Sequence, residues 1–333
     1  LLETKGEISM LKGLSVLFAV LALNGIPLIQ TAAAEKFPAK PIELVCPFPA
    51  GASIDLMSRL VADIAPKFLG QRMVVVNKPG GAGSMAAADV ISTKAEGYKL
   101  ATMTSFYFAA TAKTQKIPFD PNDLVPLTNF MEFRFGMMVR GDSPWKTLDD
   151  LLDYARKNPG KLKWGHPGRA LSIYMSALSI FRKSSVQTVD VPYQGSPQVL
   201  AALLGGHIDA ATGVYGTVKD HVTAGKLRYL TVYSDKRYSD LPDVPTVVEL
   251  GFPQADIPSF IGIYAHKDTP EAVKRTLMDA FKKTYEDPEF KKGIEKIGEE
   301  PKYGDPALMR EAIRKGEEVS VPILKEFGLY VVK

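Results

Sequence analysis

Ile42-Glu43-Leu44-Val45-Cys46-Pro47-Phe48-Pro49-Ala50-Gly51-Ala52-Ser53-Ile54-Asp55 holds three structural signals in a row. Residues 42–48 form an apolar run of strand length, the pattern of a buried strand. Pro47 and Pro49 stiffen the exit, and Gly51 is free to take a backbone conformation closed to other residues. Leu56, Leu60, Val61 and Ile64 then fall on one face of a helix over 55–68. Ser53 or Asp55 is positioned to cap it. In such a unit the free N–H groups of the new helix point into the loop and suit a carboxylate or phosphate. Composition alone leaves an ordinary strand-to-helix turn equally open.

The same alternation continues along the chain. Residues 73–76, 99–103, 162–165, 188–192, 208–211 and 227–233 read as short strands. Residues 84–91, 171–182, 196–204 and 214–224 read as helices between them. Thr147-Leu148-Asp149-Asp150 has the spacing of a capping box. From Pro270 onward the tail reads as almost wholly helical, with Val273, Leu277, Ala280 and Phe281 in one stripe and a last helix over 306–326. Strands alternating with amphipathic helices predict an α/β fold with parallel sheet. No proline- or glycine-rich linker divides the chain. Residues 127–140 and 260–265 have the pattern of crossing strands that carry the chain to a second lobe and back.

The chain has 333 residues, room for two domains. Its 41 basic against 37 acidic residues leave a net charge of +4, too mild for a polyanion partner, so no nucleic acid is expected. The pairs Lys282-Lys283 and Lys291-Lys292 sit among acids and read as a solvated face. The single cysteine, Cys46, lies in an apolar strand and reads as a core thiol. At the start, Lys12 precedes an apolar stretch over 14–23, interrupted by Asn24, Gly25 and Pro27. Ala32-Ala33-Ala34 then stands before Glu35. This is the layout of a secretory signal peptide over residues 1–34, with Met10 an alternative start, and it predicts export from the cytoplasm.

Two further glycine-containing loops join strands to helices. Gly80-Gly81-Ala82-Gly83-Ser84-Met85-Ala86 matches a dinucleotide fingerprint in form only. It follows the second strand rather than the first, and no acid closes the next strand at Ala101-Thr102-Met103-Thr104. Gly165-His166-Pro167-Gly168-Arg169-Ala170-Leu171-Ser172 is a second anion-friendly loop, in the second half of the chain. Arg169 is suited to a charge-assisted contact with a carboxylate across a cleft, although an isolated arginine is also an ordinary surface residue. There is no G-x-S-x-G, and His166, His207, His221 and His266 lack the spacing of a metal site. Neither an enzyme nor a cofactor is expected.

Several segments in order then carry a resemblance. FPAKPIELVCPFPAGASID, VVVNKPGGAGS, AEGYKL, VPYQGSPQVLAALLGGHIDA and GKLRYLTVYSDKRYSDLPDVPTVVELGFP resemble the substrate-binding proteins of tripartite tricarboxylate transporters, the Bug family, across essentially the whole mature chain. The resemblance implies a two-lobed periplasmic binding protein fold of the type II kind. Lobe one would comprise residues 35–135 and 260–333, and lobe two residues 136–259. It implies a monomer that captures a small organic carboxylate and delivers it to the membrane subunits of the transporter. The implied ligand residues of the first lobe are Phe48, Ala50, Gly51, Ala52, Ser53, Asp55, Thr104 and Ser105. Those of the second are His166, Gly168, Arg169, Ala170, Leu171 and Asp209. Ala52 replaces a usual second glycine, and Tyr174 stands where a histidine is common. Phe48 and the run Phe106-Tyr107-Phe108 suggest an aromatic or apolar-bodied acid. A ligand-sensing subunit of a signalling system and a periplasmic hydrolase are the alternatives.

Overall fold

The computed structural model describes residues 37–169 and 171–331; the expected signal peptide over 1–34 and the ligand-loop residue Ala170 lie outside them. β1 (Ile42–Cys46) is flanked in parallel by β2 (Met73–Asn77) and β3 (Lys99–Thr104). Ile42, Leu44 and Cys46 enter one buried cluster and Val45 another. Both faces of the strand are therefore covered, which is why it reads as a continuous apolar run.

The helix expected over 55–68 is two. α1 (Ser53–Ile64) ends at Ala65, and Pro66 opens the single turn α2 (Pro66–Leu69), which Gly70 closes at φ 72°. Proline cannot continue a helix from within but is tolerated at its first position. α3 (Ser84–Ile91) leads to β3, and α4 (Ser105–Ala109) follows it directly.

β4 (Leu124–Glu132) belongs to the first sheet and β5 (Phe135–Arg140) to the second. The expected crossing strand over 127–140 thus breaks at Phe133-Arg134, where the chain changes sheets. α5 (Leu148–Lys157) starts with the expected capping box, Thr147 with Asp150. β6 (Lys163–His166), α6 (Ser172–Lys183), β7 (Val189–Pro192), α7 (Ser196–Leu204), β8 (Ala210–Val214), α8 (Tyr215–Thr223) and β9 (Leu227–Val232) follow. The chain returns through β10 (Phe260–His266), antiparallel between β3 and β4. The tail is α9 (Glu271–Glu286), α10 (Pro288–Ile297), β11 (Glu300–Gly304) and α11 (Pro306–Glu326). β11 corrects the all-helical tail: it pairs with β4 at the sheet edge, the position where a strand tolerates a proline such as Pro301.

The six-stranded sheet runs β11-β4-β10-β3-β1-β2, and the five-stranded sheet runs β7-β6-β8-β5-β9. Residues 37–333 form one compact unit. A single apolar core draws on both sheets' elements: Phe106 and Ala109 of α4 and Leu324 of α11 cluster with Trp164 of β6 and Phe181 of α6. Arg182 and Glu326 pair across the same seam. No helix of the described residues is long and apolar enough to cross a membrane. Leu324 is fully buried in this seam, so Leu324→Ala should cost about 2–5 kcal/mol by chemical denaturation. A cost below about 1 kcal/mol would mean that the seam is not a packed core.

Candidate functional site

In open α/β sheets the ligand crevice lies beyond the carboxyl ends of the parallel strands. Here β1 and β6 each run at that edge into a loop and then a helix, one in each sheet. The first loop is fixed from below. Asp55 is 1% exposed. Its Oδ2 accepts from the Gly51 N–H at 2.8 Å and from Arg59 Nε at 2.9 Å, and its Oδ1 accepts from Asn77 Nδ2 at 2.8 Å. Asn77 Nδ2 also donates to the Phe48 carbonyl at 2.9 Å. Gly51 makes the turn at φ 85°, a value natural to glycine.

Neither Ser53 nor Asp55 is the expected helix cap. The N-cap position is Ala52, with no side-chain cap bond, so no side chain claims the first N–H groups of α1. Ala50 and Gly51 are exposed, while Phe48, Ala52 and Ser53 are half-buried. Burial pushes the Asp55 carboxyl up, but its bonds to Arg59, Gly51 and Asn77 outweigh it and hold the group below the usual carboxylate range.

The second loop is built the same way around another carboxylate. Asp190 Oδ2 accepts from Arg169 Nε at 2.7 Å and lies 3.2 Å from His166 Nε2. The Gly168 N–H donates to His166 Nδ1 at 3.2 Å, which leaves Nε2 as the protonated nitrogen facing Asp190. His166 is fully buried and makes tilted ring contacts with Trp164 and Tyr174. Burial lowers its pKa against the opposing pull of Asp190, so it is neutral at pH 7. With both ring nitrogens engaged, His166 shapes the loop. Arg169 is about half exposed, with its Nε held by Asp190 and the Tyr174 hydroxyl near its guanidinium. Leu171 occupies the N-cap of α6 without a side-chain cap bond, so α6, like α1, presents unclaimed N–H groups.

Other expected site residues divide. Thr104 caps α4, its Oγ1 accepting from the Tyr107 N–H at 3.1 Å. Ser105 is buried and its hydroxyl accepts from the Phe260 N–H at 3.1 Å, tying α4 to β10. Asp209 is not brought to this edge. Its Oδ2 accepts from the Lys163 N–H at 2.8 Å, and Ala210 pairs beside Trp164, which puts it at the amino end of β6 and β8. The run Phe106-Tyr107-Phe108 is core, each residue at most 6% exposed; Phe108 also borders a cavity with Ala112, Ile117 and Phe119, none of which belongs to the two loops.

Asn77 and Asp190 are the residues missed as organisers of the loops. Their partners lie 22 and 24 residues away along the chain, although Asn77, a polar residue ending an apolar strand, is a usable signal. The two edges also meet: the Glu299 carboxyl faces the Ser53 hydroxyl and approaches Gly216 of α8, just past the carboxyl end of β8.

Residues 57–329 match the family model described as tripartite tricarboxylate transporter family receptor. The chain belongs to this receptor family. It is 35% identical over 318 residues, 95% of this chain and 96% of the relative, to the UPF0065 protein in the gbd 5' region of Cupriavidus necator. Among solved structures it is similar to Rpa4515 of R. palustris, solved with adipate, at 26% identity and TM-score 0.78, covering 88% of this chain and 98% of that one. MatC from Rhodopseudomonas palustris with bound malate is similar at 25% identity and TM-score 0.73, covering 85% and 99%. The fold is that of a periplasmic solute-binding protein, and receptors of this family are generally not enzymes.

Asp55→Asn turns one acceptor of a buried, fully bonded carboxylate into a donor and should cost about 2–4 kcal/mol. The sign with pH follows from the lowered pKa of Asp55 and Asp190. Their contribution is full above the ordinary value of 3.8 and is lost as pH falls through it and below. Thermal unfolding from about pH 5 to pH 3 should therefore fall less steeply in Asp55→Asn than in the wild type; equal slopes would mean that Asp55 is not the ionised latch.

Proposed function

We propose that this protein is a periplasmic receptor that closes two lobes on a small aliphatic dicarboxylate and delivers it to the membrane subunits of a tripartite tricarboxylate-type transporter. The lobes are residues 35–135 with 260–333, and residues 136–259. They hinge at the Phe133-Arg134 crossing and the return before β10. It works as a monomer, without a cofactor, and residues 1–34 direct its export.

One observation carries this reading: α1 and α6 each start without a side-chain cap, one beside each sheet, each entered from the carboxyl end of a parallel strand. Such N-termini favour an anion through their free N–H groups and the helix dipole. A ligand with a carboxylate at each end would engage both and so stabilise the closed form. Arg169, held at Nε by Asp190, is oriented to add its Nη groups to the second carboxylate. Phe48, Ala50, Gly51, Ala52 and Ser53 bind or shape the first end; Gly168, Arg169, Ala170 and Leu171 do so for the second. Asp55 and His166 hold the two loops in shape. The adipate of Rpa4515 and the malate of MatC support the aliphatic diacid class. The burial of the Phe106-Tyr107-Phe108 run leaves Phe48 as the one aromatic of that reading in the first loop.

The test is a thermal-shift panel on residues 35–333 with aliphatic di- and tricarboxylates, aromatic acids and the matching diamides. A ligand that binds only the folded state raises the melting temperature by mass action. A short diacid should do so and its diamide should not. No shift with any acid would overturn the proposal. For the best diacid, Arg169→Ala should weaken binding about 10- to 100-fold, the worth of one charge-assisted bond, and should change the affinity of a monocarboxylate little.

A further inference from the structure

Glu299 is a carboxylic acid that ligand capture, as described, does not use. It stands between α10 and β11 and is 2% exposed. Its Oε2 accepts from the Arg134 N–H at 3.2 Å, and the Ser53 hydroxyl at the start of α1 faces the carboxyl. Oε1 is buried with no hydrogen-bond partner. That oxygen is aimed at Gly216 in the first turn of α8: a Cβ on Gly216 would lie 3.0 Å from Oε1 and 2.6 Å from the Ile297 carbonyl oxygen. From the other side, a Cβ on Gly298 would lie 2.7 Å from the Gly216 Cα. The first ligand loop, the crossing between sheets and the start of α8 therefore converge on this one carboxyl.

We propose that Glu299 is a positioning residue for ligand capture, a proton-dependent lock that holds the first loop against the start of α8. The proposal rests on the reading that the two sheets are lobes that close. A charged carboxylate at this position has little to compensate it. The facing cation, Arg134, turns its Nη groups elsewhere: they pair with Asp240, and the guanidinium lies 4.3 Å and 4.4 Å from the ring centres of Tyr215 and Tyr238, its Nε buried without a partner. Lys219 of α8 also turns to Asp240, at 3.8 Å. The other titratable groups facing the site are the phenols of Tyr215, Tyr229 and Tyr238, all raised by burial and neutral across the working range.

Burial likewise pushes Glu299 up to about 8, against the Arg134 N–H, the Ser53 hydroxyl and the Arg134 charge. The acid is thus protonated at pH 7. Moving α8 away from the α10–β11 turn would admit water to Oε1 and return the group toward its ordinary value of 4.5. A proton bound more tightly in the closed arrangement favours that arrangement at low pH. The advantage shrinks as pH rises from 4.5 toward 8 and is gone above it. Each pH unit inside that window is worth up to about tenfold in the closed-to-open ratio.

The test needs no ligand, so its outcome is independent of the carboxylate panel. Val74 of β2 and Val189 of β7 are 46% and 42% exposed, one in each sheet, and the native Cys46 is buried. Spin labels on Val74→Cys and Val189→Cys report the distance between sheets by pulsed electron resonance. From about pH 6 to pH 9 the population should shift from the closed to the open distance by roughly tenfold or more. Glu299→Gln, which fixes the neutral shape, should show no shift over the same range. If that variant does not fold, Glu299→Met serves, since it also cannot ionise. A constant distance distribution in the wild type, or an equal shift in the variant, would overturn the proposal.

Discussion

The buried carboxylate of Asp55 is the interaction on which the rest of the site depends. It joins three pieces of chain, the turn at Gly51, the helix at Arg59 and the strand end at Asn77, through bonds of 2.8–2.9 Å. A buried anion is tolerated only when its acceptors are filled. The loop can relax only by giving up bonds that burial makes expensive, so it is shaped before any ligand arrives and little ordering cost remains for binding. Asp190 repeats the arrangement in the second sheet, gathering Arg169 and His166 around one oxygen. In both loops a carboxylate of the protein is spent on holding backbone and cations in place. Among the groups left without a side-chain partner are the first N–H groups of α1 and α6.

Much of the fold was legible because burial writes periodicity into the sequence. The helices Ser84–Ile91, Ser196–Leu204 and Pro306–Glu326 have the bounds expected of them. What was not legible had physical causes. The break at Phe133-Arg134 is silent because the strands on both sides are apolar. The edge strand Glu300–Gly304 has one neighbour and a mixed burial pattern, so it carries no alternation. Ala52 in place of a second glycine sits at φ −69°, ψ 154°, an extended conformation open to any residue, so the departure from the family's glycine pair costs nothing.

The candidate site was less legible than the fold. Gly51 is visible because its conformation is local. The organisers are not, because their partners are distant in sequence: Asn77 to Asp55 spans 22 residues and Glu299 to Arg134 spans 165. Asp209 shows the complementary failure. A residue at the start of a strand and one at its end look alike in sequence, yet they lie on opposite edges of the sheet, and the Lys163 N–H places Asp209 on the edge away from the loops. The aromatic run at 106–108 reads as a candidate pocket lining, but three consecutive buried side chains in the short helix α4 serve the core first.

The central claim is that one small diacid bridges the two loops. A crystal structure of residues 35–333 grown with adipate tests it most directly. The account predicts one carboxylate within about 3 Å of the first-turn N–H groups of α1, and the other against the first turn of α6 and the Arg169 Nη groups. Adipate held by one sheet alone, with Arg169 turned away from it, would contradict the account.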